Sequence, residues 1–212
     1  EQVGTAGFTP DQVNYSSFAI DSTDTPYIAY QDYNETDNAA SVMKFDGTSW
    51  IQVGSAGFTP GGAYYTSLAI NSADTPYIAY ADYNETDYAA SVMKFNGTSW
   101  VQVGSAGFTA GGANGISLAI DSINTPYIAY QDLNETDAAS SVMKFDGTSW
   151  VQVGSAGFTA GTAGYISLAF DSINTPYIAY QDYNETDNAA SVMKFDGTSW
   201  IQVGSAGFTA DT

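Results

Sequence analysis

The sequence predicts an all-β fold, and three observations carry that expectation. The chain repeats itself every 50 residues, so that Trp50, Trp100, Trp150 and Trp200 stand at the same place in four successive periods. Each period breaks into short runs rich in Tyr, Ile, Val and Thr, bounded by Gly, Pro, Asn and Asp, as strands are. No stretch between two turn signals has helical spacing or helical length.

The second period shows the elements in order. Thr66–Ile70 is a first apolar strand, ended by Asn71-Ser72-Ala73-Asp74. Pro76 then opens a second strand over Tyr77–Tyr80, and proline is tolerated where a strand begins. Ser91–Phe95 forms a third. Asn96-Gly97 follows as a tight-turn signal, replaced by Asp-Gly in the other periods. Trp100–Val103 alternates as a fourth strand. Four antiparallel strands of this kind cannot bury both apolar faces alone, but stacking neighbouring sheets around an axis buries them. The expected architecture is therefore a β-propeller with four four-stranded blades per chain, at about residues 15–54, 65–104, 115–154 and 165–204 of a single repeat domain. Residues 1–14 and 205–212 are pieces of a surplus repeat. Fourth-strand sequence occurs a fifth time at Glu1-Gln2-Val3-Gly4, against Ile201-Gln202-Val203-Gly204. Two arrangements accommodate it: a closed four-bladed ring, or an eight-bladed ring built from two chains as a homodimer. Pairing of the local copy costs little loop entropy, so residues 201–204 are expected to complete the last blade. The N-terminal copy is then displaced or paired with another molecule.

The second and third periods differ at only thirteen of 50 positions, in a scattered way that favours natural duplication over construction. The segments SLAIDS, TPYIAYQD and SVMKFDGTSWVQVGSAGFT resemble tandem repeats of long secreted or surface-exposed bacterial proteins. That resemblance implies a propeller-like fold, a secreted or cell-surface location and no assigned catalytic motif.

Composition removes several function classes. There is no Cys and no His, which excludes disulfides, thiolate sites and the usual general base near neutral pH. The net charge of −19 repels nucleic acid and anionic membrane surfaces and favours solubility. No apolar run is long enough for a membrane span. The acidic balance suits a solvated surface, as in a saline habitat.

Candidate chemistry lies in the loops. The segment Asp32-Tyr33-Asn34-Glu35-Thr36-Asp37 recurs three times, and its alternating oxygens resemble the opening of a calcium loop. The candidate calcium ligands are Asp32, Asn34 and Asp37, Asp82, Asn84 and Asp87, Asp132, Asn134 and Asp137, and Asp182, Asn184 and Asp187. The sixth-position Gly and the distal Glu of such loops are missing, so the competing reading is a polar turn held by side-chain hydrogen bonds. Asn34-Glu35-Thr36 and its copies also match the N-glycosylation sequon, which bacteria would leave unmodified. The only cations are Lys44, Lys94, Lys144 and Lys194, each expected to meet a carboxylate of its own or an adjacent blade.

Differences among periods concentrate at 60–66 and 81–90 and their copies. Both segments are loops that leave a propeller on one face, where binding residues are usually carried. The candidate ligand-binding side chains are Tyr33, Tyr83, Leu133 and Tyr183 in one loop, and Tyr64, Tyr65, Asn114 and Tyr165 in the other. Near-identical blades place the same groups in the same surroundings four times. That suits multivalent binding better than glycoside hydrolysis, which needs two carboxylates in different environments. The expected function is a non-catalytic binding or adhesion module with glycans or other surface proteins as partners. The alternatives are a purely structural spacer and, less well supported, a glycoside-active enzyme.

Overall fold

The computed structural model describes residues 2–209, Thr186 by its backbone alone. It contains four antiparallel four-stranded sheets, each drawn from one period in sequence order. The first sheet comprises β1 (Val13–Ile20), β2 (Pro26–Asp32), β3 (Ala40–Phe45) and β4 (Trp50–Gln52). The second comprises β5 (Ala63–Ile70), β6 (Pro76–Asp82), β7 (Ala90–Phe95) and β8 (Trp100–Gln102). The third comprises β9 (Ala113–Ile120), β10 (Pro126–Asp132), β11 (Ser140–Phe145) and β12 (Trp150–Gln152). The fourth comprises β13 (Ala163–Phe170), β14 (Pro176–Asp182), β15 (Ala190–Phe195) and β16 (Trp200–Gln202). The first strand of each sheet starts about two residues before the expected blade boundary. The chain falls into two compact units, Glu1–Phe108 with the first two sheets and Thr109–Thr212 with the last two.

Each first strand is longer than its apolar run because it contains a bulge. The register of β1 on β2 shifts between Asn14 and Ser17, and the same shift recurs in β5, β9 and β13. The bulged residue adopts a left-handed backbone at Tyr15, Tyr65, Gly115 and Tyr165, with φ between 47° and 54°. An extra residue in one strand sharpens the local twist and re-aims a side chain outward.

Within unit 1, the first and second sheets share one apolar core. Tyr27, Ala29 and Val42 of the first sheet meet Leu68, Ile78 and Tyr80 of the second. Unit 2 repeats this packing with Tyr127, Ala129 and Val142 against Leu168, Ile178 and Tyr180. The small Ala on each second strand lets sheets approach closely, and the Tyr beside it fills the remaining depth.

Aromatic locks close these interfaces. Trp100 stacks on Phe58, which follows the fourth strand of the first sheet, with ring centroids 4.4 Å apart and planes 10° apart. Its indole Nε1–H donates to the Val53 carbonyl at 2.8 Å. In unit 2, Trp200 meets Phe158 and Val153 with matching distances of 4.4 and 2.8 Å. The N-terminal segment makes the same contact on the first sheet: Phe8 stacks on Trp50 at 4.6 Å, and Trp50 Nε1–H donates to the Val3 carbonyl at 3.2 Å. Gln2, Val3 and Gly4 form no strand; Glu1 lies outside the described residues. At the other end, β16 pairs with β15 through Lys194 and Ile201, so residues 200–202 supply the fourth strand of that sheet.

The lysines sit on third strands, half-buried. Lys44 lies across from Tyr27, its ammonium 5.9 Å from the ring centroid, and Lys144 repeats this over Tyr127. Lys44 also lowers the pKa of Asp46, below the backbone N–H groups of Ser49 and Thr48 in importance, and Lys194 acts likewise on Asp171. The expected charge pairing is thus a looser arrangement for Lys44 and Lys194, and Lys44 and Lys144 also place their ammonium groups over a tyrosine ring.

Candidate tyrosine site on unit 1

The bulge and the loop between second and third strands bring tyrosines together in unit 1. Tyr15 and Tyr65 are bulge residues of β1 and β5, with ring centroids 4.8 Å apart. Tyr64 precedes Tyr65 and meets Tyr15 edge-on at 5.9 Å. Tyr83 and Tyr88 come from the loop after β6; they lie 5.5 Å from each other and 6.2 and 5.8 Å from Tyr64. Tyr33 joins from the loop after β2, its hydroxyl accepting from Asn14 Nδ2 at 2.8 Å. The hydroxyls influence one another. Partial burial raises the Tyr15 pKa, followed by the phenols of Tyr65, Tyr33 and Tyr64. Tyr64 is raised in the same way by burial, Tyr88, Tyr83 and Tyr33.

These rings meet at tilted or perpendicular angles, the geometry in which a ring edge meets its neighbour's face. Tyr15, Tyr33, Tyr83 and Tyr88 are all exposed, Tyr83 by 54%. Three of the residues hold strained backbones: Tyr15 has φ 47°, Tyr65 φ 53° and Tyr88 φ 64°. A bulky side chain in the left-handed region is uncommon, and such strain concentrates at sites of function.

The second period alone carries tyrosine at all four positions 64, 65, 83 and 88. The corresponding residues are Asn114, Gly115, Leu133 and Ala138 in the third period, and Gly164, Tyr165, Tyr183 and Asn188 in the fourth. In unit 2, Tyr183 therefore lies over Gly164, where an added Cβ would stand 2.8 Å from its Cε2. Tyr165 projects into solvent, 84% exposed, and Leu133 is exposed. Of the sequence-predicted binding residues, Tyr33, Tyr64, Tyr65 and Tyr83 converge, while Leu133, Tyr183, Asn114 and Tyr165 form no aromatic cluster among the described residues. Tyr15 and Tyr88 belong to the cluster and are missed by sequence reasoning. Tyr15 is the first-period copy of Tyr65, and Tyr88 lies in the variable segment 81–90; each carried a usable signal.

The first aspartate of each loop is held by hydrogen bonds within its own blade. Asp82 is buried, its Oδ2 accepting from Ser91 Oγ at 2.8 Å and its Oδ1 from the Asn84 N–H at 3.1 Å. Asp132 and Asp182 make the same pair of contacts. Asp32 is likewise buried and accepts from the Asn34 N–H. Asp37, Asp87, Asp137 and Asp187 have left-handed backbones in the turn that follows. Asn34, Asn84, Asn134 and Asn184 sit between the two aspartates, and their N–H groups are spent on the first. Among the described residues, no three His, Cys, Asp or Glu side chains gather in one place.

A separate concavity of about 580 Å³ lies at the other end of these strands in unit 1, lined by Tyr27, Lys44, Asp74 and Lys94. Asp74 is already engaged there, accepting from the Ser22 N–H and Oγ at 2.8 Å each.

Comparison with solved structures identifies the architecture. The Aleuria aurantia lectin in complex with Fucα1-6GlcNAc matches at a TM-score of 0.66 with 18% identity, over 93% of this chain and 67% of the lectin. A further structure of a fungal lectin, described as a six-bladed β-propeller with a fucose recognition mode, matches at a TM-score of 0.62 with 16% identity, over 92% of this chain and 65% of that one. The α-L-arabinofuranosidase Arb93A of Fusarium graminearum matches at 0.56 with 15% identity, over 96% and 69%. The repeats are propeller-like blades. The chain spans about two thirds of the length of the lectins. No protein family matches the chain in sequence, and no curated protein is similar to it.

Proposed function

We propose that this chain is a glycan-binding module and that the tyrosine cluster of unit 1 is its binding site. The observation that carries the reading is the convergence of Tyr15, Tyr64, Tyr65, Tyr83 and Tyr88, of which Tyr15, Tyr83 and Tyr88 are exposed, on the strand bulges and one loop of a blade pair. Flat aromatic faces stack on the C–H faces of sugar rings, and the surrounding phenol and amide groups supply hydrogen bonds to hydroxyls. Propeller-like lectins with fucosyl ligands support the reading by their fold. The Asp82-type carboxylates, held in hydrogen bonds, favour binding over hydrolysis. The cluster differs from the expected multivalent face in one respect: among the described residues it forms on one blade pair, because only the second period has tyrosine at all four of positions 64, 65, 83 and 88, to which the first period adds Tyr15.

A glycan array followed by calorimetry tests this. Tyr83→Ala combined with Tyr88→Ala is expected to weaken the best ligand by roughly ten-fold or more, about 1.5 kcal/mol for a lost stacking platform. Unchanged affinity in the double variant, or no oligosaccharide bound at all, sinks the proposal. Release of reducing sugar from the bound ligand would point to the enzyme instead.

A further inference from the structure

Going beyond the glycan reading, we propose that the first and fourth blades are complementary docking faces for a second copy of this chain, joined head to tail. Each blade of a packed pair has two faces. In unit 1 the second blade presents Leu68, Ile78 and Trp100 to the first blade, which answers with Tyr27, Ala29 and Val42. The first blade carries its own version of the former face, and the fourth blade its own version of the latter.

Both of those faces are open. Leu68 is 6% exposed, whereas its first-blade counterpart Phe18 is 58% exposed and Ile20 55%. On the fourth blade, β14 alternates strictly between covered and uncovered residues, while the corresponding β6 is buried throughout. Ala179 is exposed, although Ala29, Ala79 and Ala129 are each at 0%. An alanine and a valine face that is buried in its sister blades is built to receive another blade, not water.

The polar ties of the packed pairs identify the occupant. Ser17 Oγ accepts from the Leu68 N–H at 2.9 Å, and Ser117 Oγ from the Leu168 N–H at 3.0 Å. Ser22 donates to Asp74, and Ser122 accepts from Asn174 Nδ2 at 2.8 Å. The fourth blade offers the same partners, Ser167 and Ser172, and the first blade the same complements, the Phe18 N–H and Asp24. The match needs no new chemistry, because the sequence that forms the internal interface also forms both open faces. Such an interface is heterologous: each copy uses a different surface.

One seat must change hands. In the packed pairs, Trp100 and Trp200 are covered by Phe58 and Phe158, which follow the fourth strand of the preceding blade. On the first blade Phe8 covers Trp50, while Phe208 at the far end is 57% exposed. Docking therefore exchanges Phe8 for Phe208 of the second copy on Trp50, like for like, and residues 2–9 act as a removable cap.

Sedimentation velocity on the full chain, from micromolar to hundreds of micromolar, is expected to show mass rising above the 22.4 kDa of one chain. Phe18→Asp and Ala179→Arg alter exposed side chains, so each variant should keep its native circular dichroism yet lose association. Mixing the two should restore a 1:1 pair, since each retains one intact face. Association that fails to return on mixing would mean like faces meet, and overturns the head-to-tail arrangement. A wild-type chain that stays monomeric at every concentration overturns the proposal outright. Deleting residues 1–9 should strengthen association by freeing Trp50; weaker association would refute the exchange at that seat.

Discussion

At the scale of single residues, the tyrosine cluster is made by left-handed backbone as much as by aromatic composition. Tyr65 and Tyr165 occupy a bulge position that glycine fills without penalty, as Gly115 does. A left-handed conformation costs a residue with a Cβ about 1–2 kcal/mol. At Tyr165 that cost is isolated, because the ring is exposed and has little packing to lose. Tyr165→Gly is therefore expected to stabilise the chain by about 1 kcal/mol in urea unfolding. A destabilised variant would show that the ring packs in solution. The bulge was only faintly legible. Gly115 at one of four equivalent positions hints at positive φ, but Tyr at the other three argues for ordinary strand. Hence Tyr64, Tyr65 and Tyr83 could be suspected from their variable loops, while the convergence with Tyr15 could not.

At the scale of elements, the loop from Asp82 to Asp87 shows how one pattern supports two readings. Alternate oxygens can face a cation, or they can bind the loop's own backbone. The structure shows the second use for the first aspartate of each loop, which is buried and accepts from a backbone N–H two residues on. Truncating Asp82 to Ala would leave Ser91 Oγ and the Asn84 N–H short of a partner, at a cost of about 2 kcal/mol. The expected result is a lower melting temperature for Asp82→Ala, with millimolar calcium shifting neither that variant nor the wild type. A calcium-dependent rise confined to the wild type would restore the metal reading through linkage. The strands themselves were legible because Pro76, Asn96-Gly97 and the alternating runs are local signals. Their partners across the blade interface were not, since Phe58 reaches Trp100 only in three dimensions.

At the scale of the whole chain, near-identical periods suggest four equal environments, and burial makes them unequal. The same tyrosine recurs as Tyr30, Tyr80, Tyr130 and Tyr180, buried in every copy. Burial raises each phenol pKa first, and the charge of the neighbouring Asp32-type carboxylate adds to it. Tyr30 and Tyr180 are pushed up to about 12, and Tyr80 and Tyr130 are raised further. In the unfolded chain all four would ionise near an ordinary value of about 10. A folded pKa above the unfolded one means that the native state holds its protons longer. Its stability is therefore full below about pH 10 and falls as pH rises toward and through the folded values. With a net charge already at −19, each further phenolate adds to self-repulsion. The chain is thus expected to unfold cooperatively in alkali beginning between about pH 10 and 12. Tyrosinate absorbance and circular dichroism, recorded on one titration, test this. Absorbance from the four buried rings should appear only as the β-sheet signal is lost. If all 16 tyrosines of the chain ionise while that signal stays native, water reaches the blade interiors and the close packing around Tyr80 is wrong.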